Sequence, residues 1–192
     1  MLKYIYVDLD GVIFDMCFAA ASLFMPPTEA RKLVDEWPID CPDITVLLGI
    51  SKGQFWKAVD NAPNFWDNLP KFHWTDELVK YLHSLDVPVF VCTSPSSNPD
   101  CVAGKLRSLQ KNKIVKHRHF VITPHKFLLA RPDAVLIDDN DKKCNEFRDN
   151  GGKVLQFPMM WGQNRNATLM DGRMAIDNKL EYVKEVISLL NS

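Results

Sequence analysis

Asp8 and Asp10 stand one residue apart, separated by Leu9 and followed by Gly11, directly after the apolar run Tyr4-Ile5-Tyr6-Val7. In extended backbone this spacing points both carboxylates to the same side. Two like charges held that close either raise one carboxyl pKa or take up a cation, and Mg2+ favours one or two carboxylates completed by phosphate oxygens. The chemistry this suits is phosphoryl transfer: one aspartate attacks phosphorus while a second acid handles the leaving-group proton. The plainer alternative is an Asx turn closing a strand, since short acidic turns are common.

Three further stretches carry compatible residues. Thr93-Ser94-Pro95-Ser96 follows the apolar run ending at Cys92, and its hydroxyls and turn N–H groups suit phosphate oxygens. Lys126 follows the run ending at Thr123, where an ammonium would neutralise a phosphoryl group. Val135-Leu136-Ile137 leads directly into a second carboxylate pair, Asp138-Asp139. Taken singly these are an ordinary loop, a solvated lysine and a turn. In succession, each after an apolar strand, they read as one site.

The elements that would position them alternate. Lys3 to Val7, Val87 to Cys92, His119 to Thr123, Ala134 to Ile137 and Lys153 to Phe157 read as strands. Between and after them, helical spacing covers Thr75 to Leu85, Pro99 to Lys111, Lys142 to Asn150 and Asp177 to Leu190, with a short helix at His125 to Ala130. Alternation of this kind implies an α/β fold with a doubly wound parallel sheet, whose ligands bind beyond the carboxyl ends of the strands. Roughly eighty residues separate the first two strands, against about thirty for a simple βαβ unit. Small helices over Asp15 to Met25, from Thr28, and over Ser51 to Asn61 must fill that interval, with a loop from Pro38 to Pro42. The expected division is a core of residues 1–14 and 75–192 with a helical cap of 15–74.

Composition agrees with a folded chain that works on something small. Of 192 residues, 46% are hydrophobic, enough to bury a full core. The formal charge of −1 gives no general attraction to polynucleotides or anionic membranes. The five cysteines lack any CxxC pair, which fits reduced thiols, and no apolar run approaches the 18 residues of a membrane span, so a soluble cytoplasmic protein is expected.

With the four motifs in order, the chain resembles the haloacid dehalogenase (HAD) superfamily of aspartate-nucleophile phosphatases. DLDGVIFD, APNFWDNLP, VFVCTSP, TPHK and VLIDD look more closely like the 5'(3')-deoxyribonucleotidase group, which dephosphorylates deoxynucleoside monophosphates. The resemblance implies a Rossmannoid core with strand order 3-2-1-4-5. It makes Asp8 the nucleophile and Asp10 the acid and base. It implies Mg2+ held by Asp8, the Asp10 backbone carbonyl and Asp138, with Asp139 supporting the metal shell or Lys126. Thr93, Ser94 and Lys126 would bind the phosphoryl oxygens. Met16 departs from the group, standing where a large aromatic lines the base pocket.

Four tryptophans (37, 56, 66 and 74) fall in or beside the cap, and most are expected to build its core. Phe65-Trp66, on a Pro/Asn-rich loop, is expected to be exposed and to pack on a nucleobase. From Thr28 to Leu69 seven acids (29, 35, 36, 40, 43, 60 and 67) face four bases (31, 32, 52 and 57), a lid that repels a long phosphate backbone. The basic run Lys111, Lys113, Lys116, His117, Arg118 and His119 reads as a solvated helix end. A small nucleotide is therefore the expected partner, with polynucleotide and membrane disfavoured and the assembly open, a homodimer included. The rival readings are the same chemistry on polynucleotide ends or another phosphate ester, and an inactive binding module. The segment from Met159 to Asp177 joins none of these motifs.

Overall fold

The computed structural model describes residues 1–39, 41–115 and 118–192. Asp40, counted among the cap acids, and Lys116 and His117 of the basic run lie outside the described residues. β1 (Tyr4–Val7), β2 (Val89–Thr93), β3 (Phe120–Ile122), β4 (Ala134–Asp138) and β5 (Lys153–Gln156) form one parallel sheet in the order β3-β2-β1-β4-β5. This is the order the sequence leads one to expect.

Both faces of the sheet are covered, as an all-parallel sheet requires. On one face Ile5 and Val7 of β1 join Val91, Val135, Ile137 and Leu155. Leu78 and Leu82 of α5 (Thr75–Ser84), Leu109 of α6 (Pro99–Lys111), and Val183 and Ile187 of α8 (Lys179–Asn191) pack onto the same cluster. On the other face Tyr6, Cys92, Ala134 and Leu136 meet Phe147 of α7 (Asp141–Asp149). The strict alternation along β1 sends each successive residue to the opposite layer.

Between β1 and α5 lie α1 (Met16–Ala21), α2 (Pro27–Asp35), α3 (Ile44–Leu47) and α4 (Lys52–Asn61). α4 starts where expected, at Ser51, whose side chain and that of Gln54 form a capping box. The short α3 was not expected; the Asp43 side chain creates it by accepting from the N–H groups of Thr45 and Val46. Apolar burial divides the inserted residues. Phe55, Val59, Phe65, Trp66 and Leu69 belong to the same cluster as the sheet. Ala21, Ala30 and Val34 form a small cluster of their own.

Thr75 opens α5 without capping it through its side chain. Its hydroxyl donates to the Ile13 carbonyl at 2.7 Å, and the neighbouring Trp74 Nε1 donates to the Val12 carbonyl at 3.0 Å. The start of α5 thereby holds the backbone just beyond Asp10 in place. Gly11 completes that turn with φ +83°, and a Cβ there would lie 2.3 Å from Asp139 Oδ2. A side chain at this position meets both backbone strain and a carboxylate. Gly11→Ala is expected to lower the unfolding free energy by about 1–3 kcal/mol in urea titration; an unchanged midpoint and slope would show that the turn tolerates a side chain.

Candidate active site

Register brings the acids together. Val7 pairs with Ile137 across β1 and β4, so the next step along both strands sets Asp8 beside Asp138. Lys126, in the 3-10 turn Lys126–Leu129 after β3, reaches under both. Its Nζ lies 2.7 Å from Asp8 Oδ1 and 2.6 Å from Asp138 Oδ2, with its side chain almost wholly enclosed. Asp8 Oδ1 also accepts the Leu9 N–H, and Asp138 Oδ1 the Asn140 N–H at 2.9 Å. Asp139, from the same strand end, is fixed by a different partner: Trp161 Nε1 donates to its Oδ2 at 2.5 Å.

Asp10 faces the other way, towards Lys105. Lys105 Nζ donates to Asp10 Oδ2, to Thr93 Oγ1 at 2.9 Å and to the Ser94 carbonyl at 2.7 Å. It therefore ties the end of β2 to the acidic turn after β1. The second oxygen of Asp10, Oδ1, is buried without a hydrogen-bond partner among the described residues. Ser94 Oγ is turned to the Thr123 carbonyl at 3.4 Å. Of the carboxylates in this centre Asp10 has the most solvent contact, 28% of its side chain against 5% for Asp8 and 0% for Asp138, so a ligand meets it first.

Lys105 was not anticipated, although a signal existed. Cys101, Gly104, Lys105, Ser108 and Leu109 are the buried residues of α6, and their spacing of three and four puts a lysine in the middle of the inward stripe. Trp161 had no comparable signal, since only the fold brings it back to Asp139.

Electrostatics separate the three buried carboxyls. Burial works against ionised Asp8, but the ammonium of Lys126, aided by Lys143 and Lys105, holds its pKa below the ordinary carboxylate value. Burial, reinforced by repulsion from Asp8, pushes Asp138 up to about 6 despite Lys126. Burial and then Asp138 and Asp8 push Asp139 well up. Burial disfavours the charge of Lys126, yet Asp8 and Asp138 outweigh it and raise its pKa. Asp8 and Asp138 thus share the Lys126 ammonium with Asp139 close by, and Asp138 and Asp139 are driven towards the neutral acid.

That deficit of positive charge is what a divalent cation would relieve. Asp8, Asp138 and Asp139 each present an oxygen within 4.8 Å of the others. An all-oxygen, carboxylate-rich set suits Mg2+. Asp139 therefore belongs to the cluster itself and makes its hydrogen bond to Trp161; the support it was expected to give Lys126 goes instead through Asp8 and Asp138.

The expected exposure of Phe65 and Trp66 needs correction. Phe65 and Trp66 are not exposed on a loop: they are 9% and 5% accessible and pack into the main core. Their rings meet edge to face at 5.1 Å, Gly104 presses against Trp66, and Lys105 Nζ lies 4.9 Å from the Trp66 ring centroid. The hydrophobic effect wins over solvent here, since a tryptophan and a phenylalanine in sequence are worth more as a wedge between α6 and the inserted helices. Met16 is partly buried against the same core. Asp15 caps α1 by accepting the Phe18 N–H and pairs with Arg31 at 2.8 Å.

The architecture has known counterparts. A conserved haloacid dehalogenase-like protein of unknown function from Agrobacterium tumefaciens superposes with a TM-score of 0.59 over 100% of both chains at 17% identity. A HAD hydrolase of family IA, variant 3, from Entamoeba histolytica gives 0.54 over 100% of both chains at 13% identity. An L-2-haloacid dehalogenase from Xanthobacter autotrophicus, with chloropropionic acid covalently bound, gives 0.50 at 12% identity over 95% of this chain and 88% of that one. No family model matches the chain, and no curated protein matches it in sequence. At these identities the likeness is one of fold, and the fold is haloacid dehalogenase-like.

A carboxylate must shed its proton to bind a metal, so affinity for Mg2+ should follow Asp138. Mg2+ is expected to raise the melting temperature more at pH 7 than at pH 5, and the rise is expected to vanish in Asp138→Asn. Equal rises at both pH values, or a rise retained in the variant, would contradict the cluster as the metal site.

Proposed function

We infer that the chain is a Mg2+-dependent phosphomonoesterase acting through an aspartyl phosphate on Asp8, with deoxynucleoside monophosphates as its substrates. The observation that carries the reading is the Lys126 bridge between Asp8 and Asp138, with Asp139 close by. It keeps one buried carboxylate ionised, as a nucleophile must be, beside a pair suited to a cation.

Asp8, Asp138 and Asp139 would hold the ion, which when bound neutralises charge on the phosphate. In the first half-reaction an Asp8 oxygen bonds to phosphorus, the ester P–O bond breaks, and Asp10 gives its proton to the departing oxygen. In the second, Asp10 takes a proton from water as that water attacks phosphorus. The Asp8–phosphorus bond breaks and orthophosphate leaves. Lys105 would keep the Asp10 carboxylate oriented throughout, and Thr93 and Lys126 would receive the phosphoryl oxygens. Nucleotide preference rests on the motif resemblance and on the acid excess of the inserted helices.

Displacement of halide from a haloacid is another reaction carried out at a fold of this kind, as the Xanthobacter neighbour's bound chloropropionic acid illustrates. Chloride leaves without a proton and needs no cation, so its departure would call for neither an acid at Asp10 nor a metal-binding cluster, and only the later attack of water on the ester would need a base. Phosphate or chloride release from deoxynucleotides, ribonucleotides, sugar phosphates, end-phosphorylated oligonucleotides and 2-chloropropionate separates the readings. Orthophosphate from deoxynucleoside monophosphates in Mg2+ is expected. Chloride release, or preference for oligonucleotides, would overturn the assignment.

The acid role of Asp10 has its own signature. Asp10→Asn is expected to slow phosphorylation of the enzyme by an alkyl phosphate by about 10²–10⁴-fold. A p-nitrophenyl ester, whose leaving group needs no proton, should keep its burst of nitrophenolate. Equal slowing of both bursts would remove Asp10 as the acid.

A further inference from the structure

The segment from Met159 to Asp177 meets the catalytic centre through Trp161, which donates to Asp139, and it also forms one side of a cavity of about 460 Å3. That volume is within the range of small-molecule sites. Asp8, Asp10, Thr93, Lys126 and Asp138 are not among its walls, so it is distinct from the phosphoryl site. Phe72 and Trp74 line it as a stacked pair, 4.3 Å between centroids and 12° from parallel, and Trp161 supplies a third ring.

Three cations reach the same space, and two of them are already paired. Arg31 is held by Asp15 at 2.8 Å and Asp35 at 3.3 Å, and Lys71 by Asp76 at 2.5 Å. Lys179 differs. It is 8% accessible, has no carboxylate within salt-bridge distance among the described residues, and donates only to the Ile176 carbonyl. Its Nζ sits 4.6 Å from the Trp74 ring centroid. Burial lowers its pKa to about 8, with Asp177 opposing from a distance. A buried ammonium with N–H groups to spare, beside aromatic walls, is a group that wants an anion.

We propose that this cavity is a second ligand site, which takes a planar aromatic anion with its ring against Phe72, Trp74 and Trp161 and its acid group on Lys179. The sulfonate, carboxylate or phosphate identity of that acid group is secondary to its charge, because an ammonium recognises it as a point charge. The site stands whether or not the chain is a phosphatase, as none of the transferring residues contributes to it. Occupancy would press on Trp161, one hydrogen bond from Asp139.

The probe is 2-naphthalenesulfonate, which phosphoryl transfer cannot consume, titrated calorimetrically into the full chain. Methanesulfonate and 2-naphthylmethanol test the ring and the charge separately. One-to-one binding is expected, at least tenfold tighter than for either control, unaffected by orthophosphate and unchanged in Asp8→Asn. Lys179→Met is expected to weaken it at least tenfold. Met160→Trp, which fills the cavity and leaves every cation in place, is expected to do the same and covers the case in which Lys179→Met does not fold. Undetectable binding, displacement by orthophosphate, or full affinity in a folded variant of either kind would overturn the proposal.

Discussion

The structure depends on holding like charges side by side at the buried ends of parallel strands. β1 and β4 are neighbours in register, so Asp8 and Asp138 are adjacent for as long as the sheet exists. Lys126 makes that tolerable by lying between them, and because it comes from a third element it also ties the turn after β3 to the middle of the sheet. Removing one partner of such a buried pair costs about 3–5 kcal/mol, since the remaining charge has no water to turn to. The arrangement is therefore a constraint on folding.

The same charges divide the carboxyls into two kinds. Asp8 is kept ionised, while Asp138 and Asp139 are pushed towards the neutral acid. Groups of one chemical type whose environments pull their pKa values apart can take different roles. A second lysine repeats the principle a few ångströms away: Lys105 gathers Asp10, Thr93 and the Ser94 carbonyl into one network. Around both, rigid backbone is supplied from outside, by Trp74 and Thr75 gripping Val12 and Ile13 and by Gly11 yielding its side-chain space to Asp139.

Much of this could be read from residues in order. Apolar runs ending in acids gave the parallel sheet and the convergence of residues 8, 10, 93, 126 and 138, because strand ends in a doubly wound sheet share one edge. Lys105 lay on a legible inward stripe and was passed over, since a lysine on a helix ordinarily points to water. Trp161 could not have been foreseen, because its partner is 22 residues away and only the turn after β5 brings them together. Phe65 and Trp66 show how local composition misleads. Pro and Asn around them suggest an exposed loop, while the helix packing above them, through Gly104, makes a buried wedge. Most element ends shifted by a residue or two, α1 stopped at Ala21 where Met25 was expected, and α3 was hidden because its nucleus is one aspartate side chain.

If Asp8 is the nucleophile, one of its carboxylate oxygens becomes bonded to phosphorus during turnover. The most direct test is to quench the enzyme with acid during turnover of a deoxynucleoside monophosphate, reduce with borohydride, and locate the modified residue by peptide mass spectrometry. An acyl phosphate on Asp8 predicts homoserine at position 8 and at no other acid. Turnover without any reduced carboxyl, or reduction at Asp10, Asp138 or Asp139 in its place, would contradict the account.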